Sequence, residues 1–266
     1  SLNKKIMSNC KNLKVISRHG VGYDNVDLAY IKEKNISLLI TATANAVAVA
    51  EHVICMMLSI SKSITRYDNE VRIGNFKKNA SSITTLELFN KEILIVGFGR
   101  IGQSLIKRCK GFDMNVKVYD PFVDKEIIEK FGGKKIENLD EGLHKCDYLS
   151  LHVPLNEKTR NLINYSKIKN MKKNAILINT ARGGIVNEED LNRALNENII
   201  FGAGLDVFEE EPVNKNNSLL SNKKVVLSPH SATFTDECKS RMSIETTKNI
   251  IDFFDNKIDK SMIVKL

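Results

Sequence analysis

The sequence predicts an α/β protein, with a doubly wound parallel sheet as its larger domain and a smaller domain built from the two ends of the chain. Three observations predict this fold. Short apolar segments alternate with helical segments through the middle of the chain. These short segments are apolar at successive positions, which is typical of strands in a parallel sheet covered on both faces. The 266 residues suffice for one large domain or two modest ones.

The strands and helices of the larger domain are predicted from periodicity and from runs of branched apolar residues. Residues 92–96, with the sequence EILIV, form the first strand and are followed at once by glycines. The other predicted strands are residues 116–119, 134–136, 148–153, 175–179, 201–206 and 225–228. The predicted helices between them are residues 100–109, 125–131, 139–145, 166–170 and 188–196.

The flanking segments are assigned to the smaller domain. Residues 13–16 and 36–40 are predicted strands on either side of a helix at 28–34, and residues 237–254 form a predicted C-terminal helix. Residues 46–64 form a long helix that is apolar nearly all round, so we expect it to be deeply buried, partly against another subunit. The predicted domain limits are 1–45 with 236–266 for the smaller domain and 46–235 for the larger one.

Composition and charge exclude several classes of protein. The apolar fraction of 42% argues against a disordered chain, and no apolar run reaches the length needed to span a membrane. The formal charge is +8, but Lys is scattered and no basic stripe with interleaved aromatic residues is present, so no nucleic-acid partner is predicted. The 5 cysteines lack CxxC spacing and predict no metal site; reduced thiols suit a cytoplasmic protein.

The segment GFGRIG, residues 97–102, has glycines at dinucleotide-binding spacing. It follows a predicted strand and opens a helix, and Asp120 ends the next strand. Gly97, Gly99 and Gly102 permit a tight turn and a close approach of the backbone to a pyrophosphate at the helix N-terminus. The Asp120 carboxylate can accept hydrogen bonds from ribose hydroxyls and would repel a 2′-phosphate, so NAD is predicted over NADP. The alternative is a structural turn followed by an ordinary turn aspartate.

Polar motifs follow three other predicted strands. Arg182 lies in the Gly-rich turn NTARGGIV, where its guanidinium can clamp a carboxylate with two parallel hydrogen bonds. Acids 209–211 precede Pro212, and His230 follows Pro229 at the end of the last strand. Ligands of parallel α/β sheets bind at the carboxyl ends of strands, so these side chains are candidates for the site. The alternatives are a surface arginine, a solvated acidic turn and a structural histidine.

A last candidate is the loop SRHGVGYDNVD, residues 17–27, whose glycines on either side of Val21 can present backbone N–H groups to an anion. An ordinary strand-to-helix loop is the alternative.

Taken together and in this order, the motifs resemble the D-isomer-specific 2-hydroxyacid dehydrogenase family. The segments SRHGVGYDNVD, VGFGRIG, HVPLNEKT, NTARGGIV and GLDVFEEEP carry the resemblance, which covers nearly the whole chain.

The resemblance implies a Rossmann-type NAD-binding domain inserted into a smaller, flavodoxin-like substrate domain, usually in a homodimer. The helix predicted at 46–64 would belong to the NAD-binding domain and help to form that dimer. Family members carry a further strand–helix–strand stretch before the segment that matches Leu13. We therefore expect an N-terminal segment to be missing and the substrate domain to be incomplete.

The resemblance also implies a role for each matching residue. Arg182 matches the residue that holds the substrate carboxylate, His230 the general acid and base, and Glu211 the acid that hydrogen-bonds this histidine. Val21 and Gly22 match backbone donors to the substrate carboxylate, and Asn45 matches a residue near the substrate. Besides the three glycines, the residues that match the cofactor shell are Thr41, Arg100, Ile101, Asp120, Val153, Pro154, Thr180, Ala181, Asp206, His230 and Ala232.

The expected function is that of an NAD-dependent oxidoreductase that interconverts a small D-2-hydroxy acid and its 2-oxo acid. The substrate classes implied are 3-phosphoglycerate and hydroxypyruvate or glyoxylate. The alternative is an NAD-sensing, corepressor-like binding protein of the same fold with little or no turnover. Formate dehydrogenases of this fold place Gln where Glu211 stands, so formate oxidation is not expected.

Overall fold

The computed structural model describes residues 2–76 and 83–265. The chain divides into two compact units, one formed by Ser1–Ala48 with Thr233–Leu266 and the other by Val49–Ala232. The domain limits predicted from the sequence stay a prediction, because compactness alone does not show where a functional domain begins or ends.

The larger unit contains a seven-stranded sheet whose neighbouring strands are all parallel, which confirms the predicted fold class. The strands of the described residues are β1 (Val15–Ser17), β2 (Ser37–Leu39), β3 (Glu92–Val96), β4 (Asn115–Tyr119), β5 (Lys134–Lys135), β6 (Tyr148–Leu151), β7 (Ile176–Asn179), β8 (Gly202–Leu205) and β9 (Val225–Leu227). The strand order in the large sheet is β5-β4-β3-β6-β7-β8-β9, so the chain moves outward from β3 in both directions.

The helices of the described residues are α1 (Lys4–Met7), α2 (Leu28–Glu33), α3 (Ala46–Ser61), α4 (Ile64–Arg72), α5 (Arg100–Gly111), α6 (Lys125–Lys130), α7 (Leu139–Lys145), α8 (Tyr165–Lys169), α9 (Glu188–Asn196) and α10 (Asp236–Phe254). In the larger unit, helices α5 to α9 alternate with strands β3 to β8, as the sequence predicts. Side chains of Asn138, Asn164 and Asn187 cap the N-termini of α7, α8 and α9 by accepting hydrogen bonds from backbone N–H groups.

Alternate residues of the strands pack against helices on opposite faces of the large sheet. Leu94 and Val96 of β3 join the apolar cluster that includes buried residues of α7, α8 and α9. Ile93 and Ile95 join the cluster that includes buried residues of α3, α5 and α6. Because successive side chains of a strand point to opposite faces, a strand covered on both sides must be apolar throughout. This is the packing that the apolar runs predicted.

Glycines in β8 bring α3 close to the sheet. A Cβ atom added at Gly204 would lie 3.0 Å from the Met56 sulfur and 2.8 Å from Cδ1 of Ile178. A Cβ atom at Gly202 would lie 2.8 Å from Cγ2 of Ile60. The helix therefore packs against a strand surface that has no side chains of its own at these positions.

The helix predicted at 46–64 is wrong at its C-terminal end. The structure ends α3 at Ser61, places Ser63 in the left-handed region with φ of 50°, and begins α4 at Ile64, with a bend of 58° between the two helices. A left-handed residue cannot continue a right-handed helix, and periodicity does not reveal such a break. Among the described residues no single helix has the length and hydropathy needed to cross a membrane. The bent pair of α3 and α4 reaches that length and hydropathy only when the two helices are counted together.

The smaller unit contains β1 and β2 as a two-stranded parallel sheet, with Val15 opposite Ser37. Its core includes Met7 from α1, Ile31 from α2 and Leu38 from β2. The helix α1 was not predicted. The flavodoxin-like arrangement expected for this unit stays a prediction.

Candidate active site

The carboxyl ends of β3, β6, β7, β8 and β9 lie at one edge of the large sheet, because these strands are parallel neighbours. Five loops follow them directly, at residues 97–99, 152–154, 180–184, 206–211 and 228–232. Ligands of open α/β sheets bind at this edge. All predicted site residues of the larger unit lie on these loops, at the start of α5 or at the end of β4.

The glycine loop after β3 is shaped for close contact. Gly97 has φ of 97°, and a Cβ atom there would lie 2.5 Å from the carbonyl oxygen of His152. A Cβ atom at Gly102 would lie 2.5 Å from the carbonyl oxygen of Gly97. At Gly99 an added Cβ would meet no described atom within 4 Å, so this glycine leaves space in front of the helix. The loop, where it opens α5, therefore has the form of a pyrophosphate cradle.

The N-terminus of α5 offers backbone donors at this cradle. Gly99 is its N-cap residue and supplies no side-chain hydrogen bond. The first N–H groups of a helix have no partner within the helix, and the helix dipole favours an anion beside them. Arg100 and Ile101 are the first two residues of the helix, which is where the sequence placed them in the cofactor shell.

Asp120 lies beside the glycine loop and orders it. Its Oδ2 accepts a hydrogen bond from the N–H of Phe98 at 2.7 Å, and its Oδ1 accepts one from the N–H of Phe122 at 2.9 Å. Each carboxylate oxygen can accept a second hydrogen bond, so the group retains capacity for ribose hydroxyls. Asp120 therefore orders the glycine loop. It also lies at the position where the sequence predicts a contact with ribose.

The side chains of His230 and Glu211 form a hydrogen-bonded pair. Nδ1 of His230 lies 2.7 Å from Oε2 of Glu211, and both side chains are partly exposed. The other oxygen of Glu211 accepts a hydrogen bond from the N–H of Phe208 at 3.0 Å, which fixes the carboxylate. A carboxylate can only accept, so Nδ1 of His230 carries the proton of this bond. Nε2 is left as the nitrogen that can exchange a proton with a substrate.

The loop of Arg182 packs directly on the loop of Glu211. The side chain of Asn179 bridges its own loop, because Nδ2 donates to the carbonyl of Arg182 at 2.9 Å and Oδ1 accepts from the N–H of Ala181 at 3.1 Å. A Cβ atom added at Gly183 would lie 1.7 Å from the carbonyl oxygen of Phe208. Only glycine fits at that position, so the loops of Arg182 and Glu211 are fixed against each other.

Asp206 is fully buried and holds the loop that carries His230. Oδ1 accepts from the N–H of Ser231 at 2.8 Å, and Oδ2 accepts from the N–H of Ala232 at 3.0 Å. The carbonyl of Asp206 accepts from the N–H of His230 at 2.7 Å. The sequence predicts Asp206 and Ala232 in the cofactor shell. The structure brings these two residues together through the hydrogen bond from the N–H of Ala232 to Oδ2 of Asp206.

Two buried polar atoms at this edge lack a hydrogen-bond partner among the described residues, Oγ1 of Thr180 and Nδ1 of His152. Buried polar atoms are nearly always paired, so such atoms mark places where a ligand or water completes the bonding. Burial lowers the pKa of His152 to about 4, and the ring is therefore neutral near pH 7. The open Gly99, the uncapped α5 and the unpaired Thr180 hydroxyl together fit a dinucleotide bound along this edge.

Four predicted site residues lie in the smaller unit. Oγ1 of Thr41 accepts a hydrogen bond from the N–H of Gly20 at 2.7 Å, and the carbonyl of Gly22 accepts one from Nε of Arg18 at 3.1 Å. Val21 lies between these two glycines in the same loop. Asn45 is buried, and its Oδ1 has no partner among the described residues. The Thr41 hydroxyl thus has a structural partner in its own unit, which the sequence pattern did not indicate.

Residues that sequence reasoning missed surround Asp206 and the loop of Arg182. His52, on α3, lies with Nε2 2.9 Å from Oγ of Ser228. Glu188 and Glu209 each accept a hydrogen bond from the other's backbone N–H, and burial raises the pKa of Glu188. The signal for His52 was present, since it is a polar residue in the otherwise apolar run of α3.

The comparisons with known proteins identify the family. Residues 54–232 match the family model described as D-isomer specific 2-hydroxyacid dehydrogenase, NAD binding domain. The chain belongs to the D-isomer-specific 2-hydroxyacid dehydrogenase family. This confirms the resemblance that the motifs showed, and with it an NAD-binding Rossmann fold in a family of oxidoreductases. The carboxyl edge of the large sheet is accordingly the edge at which NAD is expected.

Named relatives of this dehydrogenase family include enzymes with different substrates. The chain is 39% identical over 236 residues to D-3-phosphoglycerate dehydrogenase of Methanocaldococcus jannaschii, covering 89% of this chain and 44% of that protein. It is 38% identical over 269 residues to glyoxylate reductase of Thermococcus litoralis, covering 99% of this chain and 81% of that protein. The chain therefore spans less than half of the first relative and most of the second.

A solved structure of the family also matches in fold. The D-lactate dehydrogenase of Aquifex aeolicus, in complex with NAD and lactic acid, superposes with a TM-score of 0.86 at 32% identity. The match covers 99% of this chain and 83% of that one.

Proposed function

We propose that this protein is an NAD-dependent oxidoreductase that interconverts a small D-2-hydroxy acid and its 2-oxo acid. The observation that carries the proposal is the pair of His230 and Glu211, joined at 2.7 Å beside the loop of Arg182 on the cofactor edge of the sheet. A base and its acidic partner lie at the same edge of the sheet as a loop that carries a cation, and the loops of Arg182 and Glu211 are packed against each other at Gly183 and Phe208. These are the groups that hydride transfer at a 2-oxo acid requires.

The glycine loop and the N-terminus of α5 would hold the pyrophosphate of NAD, and Asp120 the adenosine ribose. The nicotinamide supplies the hydride acceptor or donor when it is bound. His230 supplies the proton to the carbonyl oxygen through Nε2, because Nδ1 is engaged by Glu211. In the oxidising direction Nε2 accepts the proton of the 2-hydroxyl group. Glu211 keeps the ring oriented and stabilises its positive charge during both transfers.

Arg182 is the proposed carboxylate ligand. Its planar guanidinium has five N–H donors, and two of them can bind both oxygens of a carboxylate in parallel. The loop holds the residue in a defined place, because Asn179 and Gly183 fix its backbone. Val21, Gly22 and Asn45 of the smaller unit are the further proposed contacts of the substrate.

The proposed substrates are glyoxylate, hydroxypyruvate and the 3-phosphoglycerate pair. Support comes from the relatives that are named glyoxylate reductase and D-3-phosphoglycerate dehydrogenase, at 38% and 39% identity. All of these substrates share a carboxylate next to the reacting carbon, which is the feature that Arg182 would recognise. The phosphate of the last class would need an additional cationic contact.

The test is NADH oxidation by the purified protein with a panel of 2-oxo acids, compared between wild type and Arg182→Ala. We expect turnover in the wild type and a loss of about 100- to 1000-fold in kcat/KM in the variant, because the substrate is no longer oriented or its charge stabilised. NADH binding, measured by fluorescence titration, should stay within about twofold, since one side chain away from the cradle carries little cofactor affinity.

Arg193→Ala is the matched control. Arg193 pairs with Glu197 on the exposed face of α9 and should be neutral for turnover. Undiminished activity of Arg182→Ala would overturn the assigned role. NADH binding without turnover in the wild type would favour the corepressor-like alternative.

We further propose a cytoplasmic homodimer. The support lies in α4 and the residues that follow it, which expose apolar side chains in the larger unit. Ile64 is 53% exposed, Val71 54%, Ile73 62% and Phe76 79%. Neighbouring exposed apolar side chains of this kind mark interaction surfaces. Sedimentation velocity distinguishes a dimer from a monomer.

A further inference from the structure

A chain of hydrogen bonds links α3 to the loop that carries His230. It runs from Nε2 of His52 to Oγ of Ser228, 2.9 Å away, and from that hydroxyl to Oδ1 of Asp206. All of these residues belong to the larger unit. We propose that His52 is a positioning residue, which holds the His230 loop in its active conformation through Ser228 and Asp206. The kinetic consequence of this inference rests on the proposed function.

The direction of each bond follows from the donors available. The hydroxyl of Ser228 has one hydrogen, and it donates that hydrogen to the Asp206 carboxylate, which can only accept. Oγ of Ser228 must then accept from His52, so His52 carries a hydrogen on Nε2. The same nitrogen lies 3.5 Å from Oδ1 of Asp206 and also faces the carboxylate directly. His52 therefore acts as the donor at the beginning of the chain.

Asp206 needs such donors because it is a carboxylate with no solvent exposure. A buried charge is costly unless hydrogen bonds replace its lost hydration. The donors to this carboxylate include the hydroxyl of Ser228 and the N–H groups of Ser231 and Ala232, all from one loop. His52 is the contribution from outside that loop, and it ties the loop to a helix that is packed in the core.

The loop also holds His230 in a conformation that needs external support. His230 has φ of 51°, in the left-handed region that residues with a Cβ atom rarely adopt. Such a conformation persists only where surrounding bonds determine it. Here the bonds are those from Ser231 and Ala232 to Asp206 and the bond from the N–H of His230 to the Asp206 carbonyl. Weakening the Asp206 carboxylate's attachment therefore lets the His230 ring leave its place.

The experiment compares kcat and KM of His52→Leu and His52→Gln with wild type, on whichever 2-oxo acid is turned over. Leucine fills the position but has no donor, whereas the amide of glutamine places an N–H near the position of Nε2. We expect about a tenfold loss of kcat in His52→Leu without a matching rise in KM for NADH, and recovery to within about threefold in His52→Gln. Glu51→Gln, on the same helix but paired with Arg108, is the matched control and should resemble wild type.

A double-mutant cycle checks the route. Ser228→Ala breaks the chain at its middle, so adding His52→Leu to it should lower kcat by less than about twofold more. Independent, additive losses would show that His52 acts by another route and would overturn the inference. So would wild-type kcat in His52→Leu, or a His52→Gln variant as impaired as His52→Leu.

Amide hydrogen exchange separates this inference from the proposed function. Loss of the donor should raise the exchange rates of the Ser231 and Ala232 amides at least about tenfold in His52→Leu and leave them near wild type in His52→Gln. If the wild type shows no turnover with any 2-oxo acid, the proposed function fails, and the exchange result decides the role of His52 by itself. Unchanged exchange in His52→Leu overturns the inference.

Discussion

His152 follows the carboxyl end of β6 with Nδ1 buried and Nε2 2.8 Å from Oγ of Ser150. Burial removes the charged ring from water and so disfavours it, which lowers the pKa of His152 to about 4. Burial also disfavours the charged form of Cys109 and Cys146. For a thiol the charged form is the thiolate, so burial raises the pKa of both cysteines to about 12. Both thiols are fully buried, so these cysteines are inert core residues. His230, by contrast, is partly exposed and paired with Glu211, so its position suits proton exchange.

The depressed pKa of His152 predicts a loss of stability in acid. The unfolded state takes up a proton near pH 6.5, while the folded state does so only near pH 4. The contribution of the neutral His152 ring to the free energy of unfolding is fully present above pH 6.5. It is lost as the pH falls toward 4, by up to about 3 kcal/mol. Urea unfolding between pH 7 and 4 should show that the free energy of unfolding falls less steeply with pH in His152→Gln than in wild type. His144→Gln, at an exposed histidine of α7, should keep the wild-type decline, and equal slopes in all three proteins would contradict the prediction.

At the scale of elements, the glycines of β8 determine how closely α3 can approach the sheet. Gly202 and Gly204 leave no Cβ atom between the strand and Met56, Ile60 or Ile178. The apolar pattern of α3 predicted its burial, and Ala50, Val53 and Met57 are indeed fully buried. The pattern did not predict that the partner strand would be stripped of side chains at that contact.

Gly204→Ala should therefore destabilise the protein. Its Cβ would lie 2.8 Å from Ile178 and 3.0 Å from Met56, so both side chains must shift in a packed core, at a cost of about 1–3 kcal/mol. Chemical denaturation measures the change. Gly111→Ala, at the last residue of α5, is the control, because its Cβ would meet no described atom within 4 Å and alanine favours a helix. A Gly204→Ala variant as stable as wild type would show that the contact is loose.

At the scale of the whole molecule, the two compact units have cores of unequal size. The larger unit has a seven-stranded sheet with a large apolar cluster on each face, whereas the described residues of the smaller unit form a two-stranded sheet and two much smaller clusters. Surface ion pairs such as that of Lys145 with Glu141 join exposed side chains and add little to stability. The formal charge of +8 is consistent with a solvated surface rich in lysine. In the proposed site, Arg182 is the main cation that would bind an anionic group.

The difference in cores predicts a difference in local stability. A two-stranded sheet is marginal by itself, whereas central strands of a large sheet open only with the whole unit. Amide exchange in this chain should therefore be at least about 100-fold faster in β1 and β2 than in β6 and β7. Hydrogen exchange followed by mass spectrometry gives this comparison within one sample. Equal protection in both units would show that the chain unfolds as one cooperative body.

The sequence by itself determined the α/β class, the alternation of strands and helices from β3 to β9 and the family, and it predicted the edge of the sheet at which NAD is expected. It could do so because strand and helix periods, glycine spacing and strand-end polar residues are local patterns that one stretch of chain carries. Strand limits moved by one or two residues, as at 148–153, which the structure shortens to Tyr148–Leu151. The assignments of Arg182, Glu211 and His230 stay proposals that the experiments above test.

The family resemblance implied that Glu211 hydrogen-bonds His230, but only the tertiary structure gave the atoms that meet, Nδ1 of His230 and Oε2 of Glu211, on two different loops. The link from His52 to Ser228, which crosses from α3 to the end of β9, was not expected from the sequence. Such contacts depend on how helices and strands pack, and no local pattern encodes them. The same is true of Gly183, whose need for glycine comes from the carbonyl of Phe208 in another loop, and of the break at Ser63 between α3 and α4. Local periodicity selects the elements, while packing between distant segments places the atoms that do chemistry.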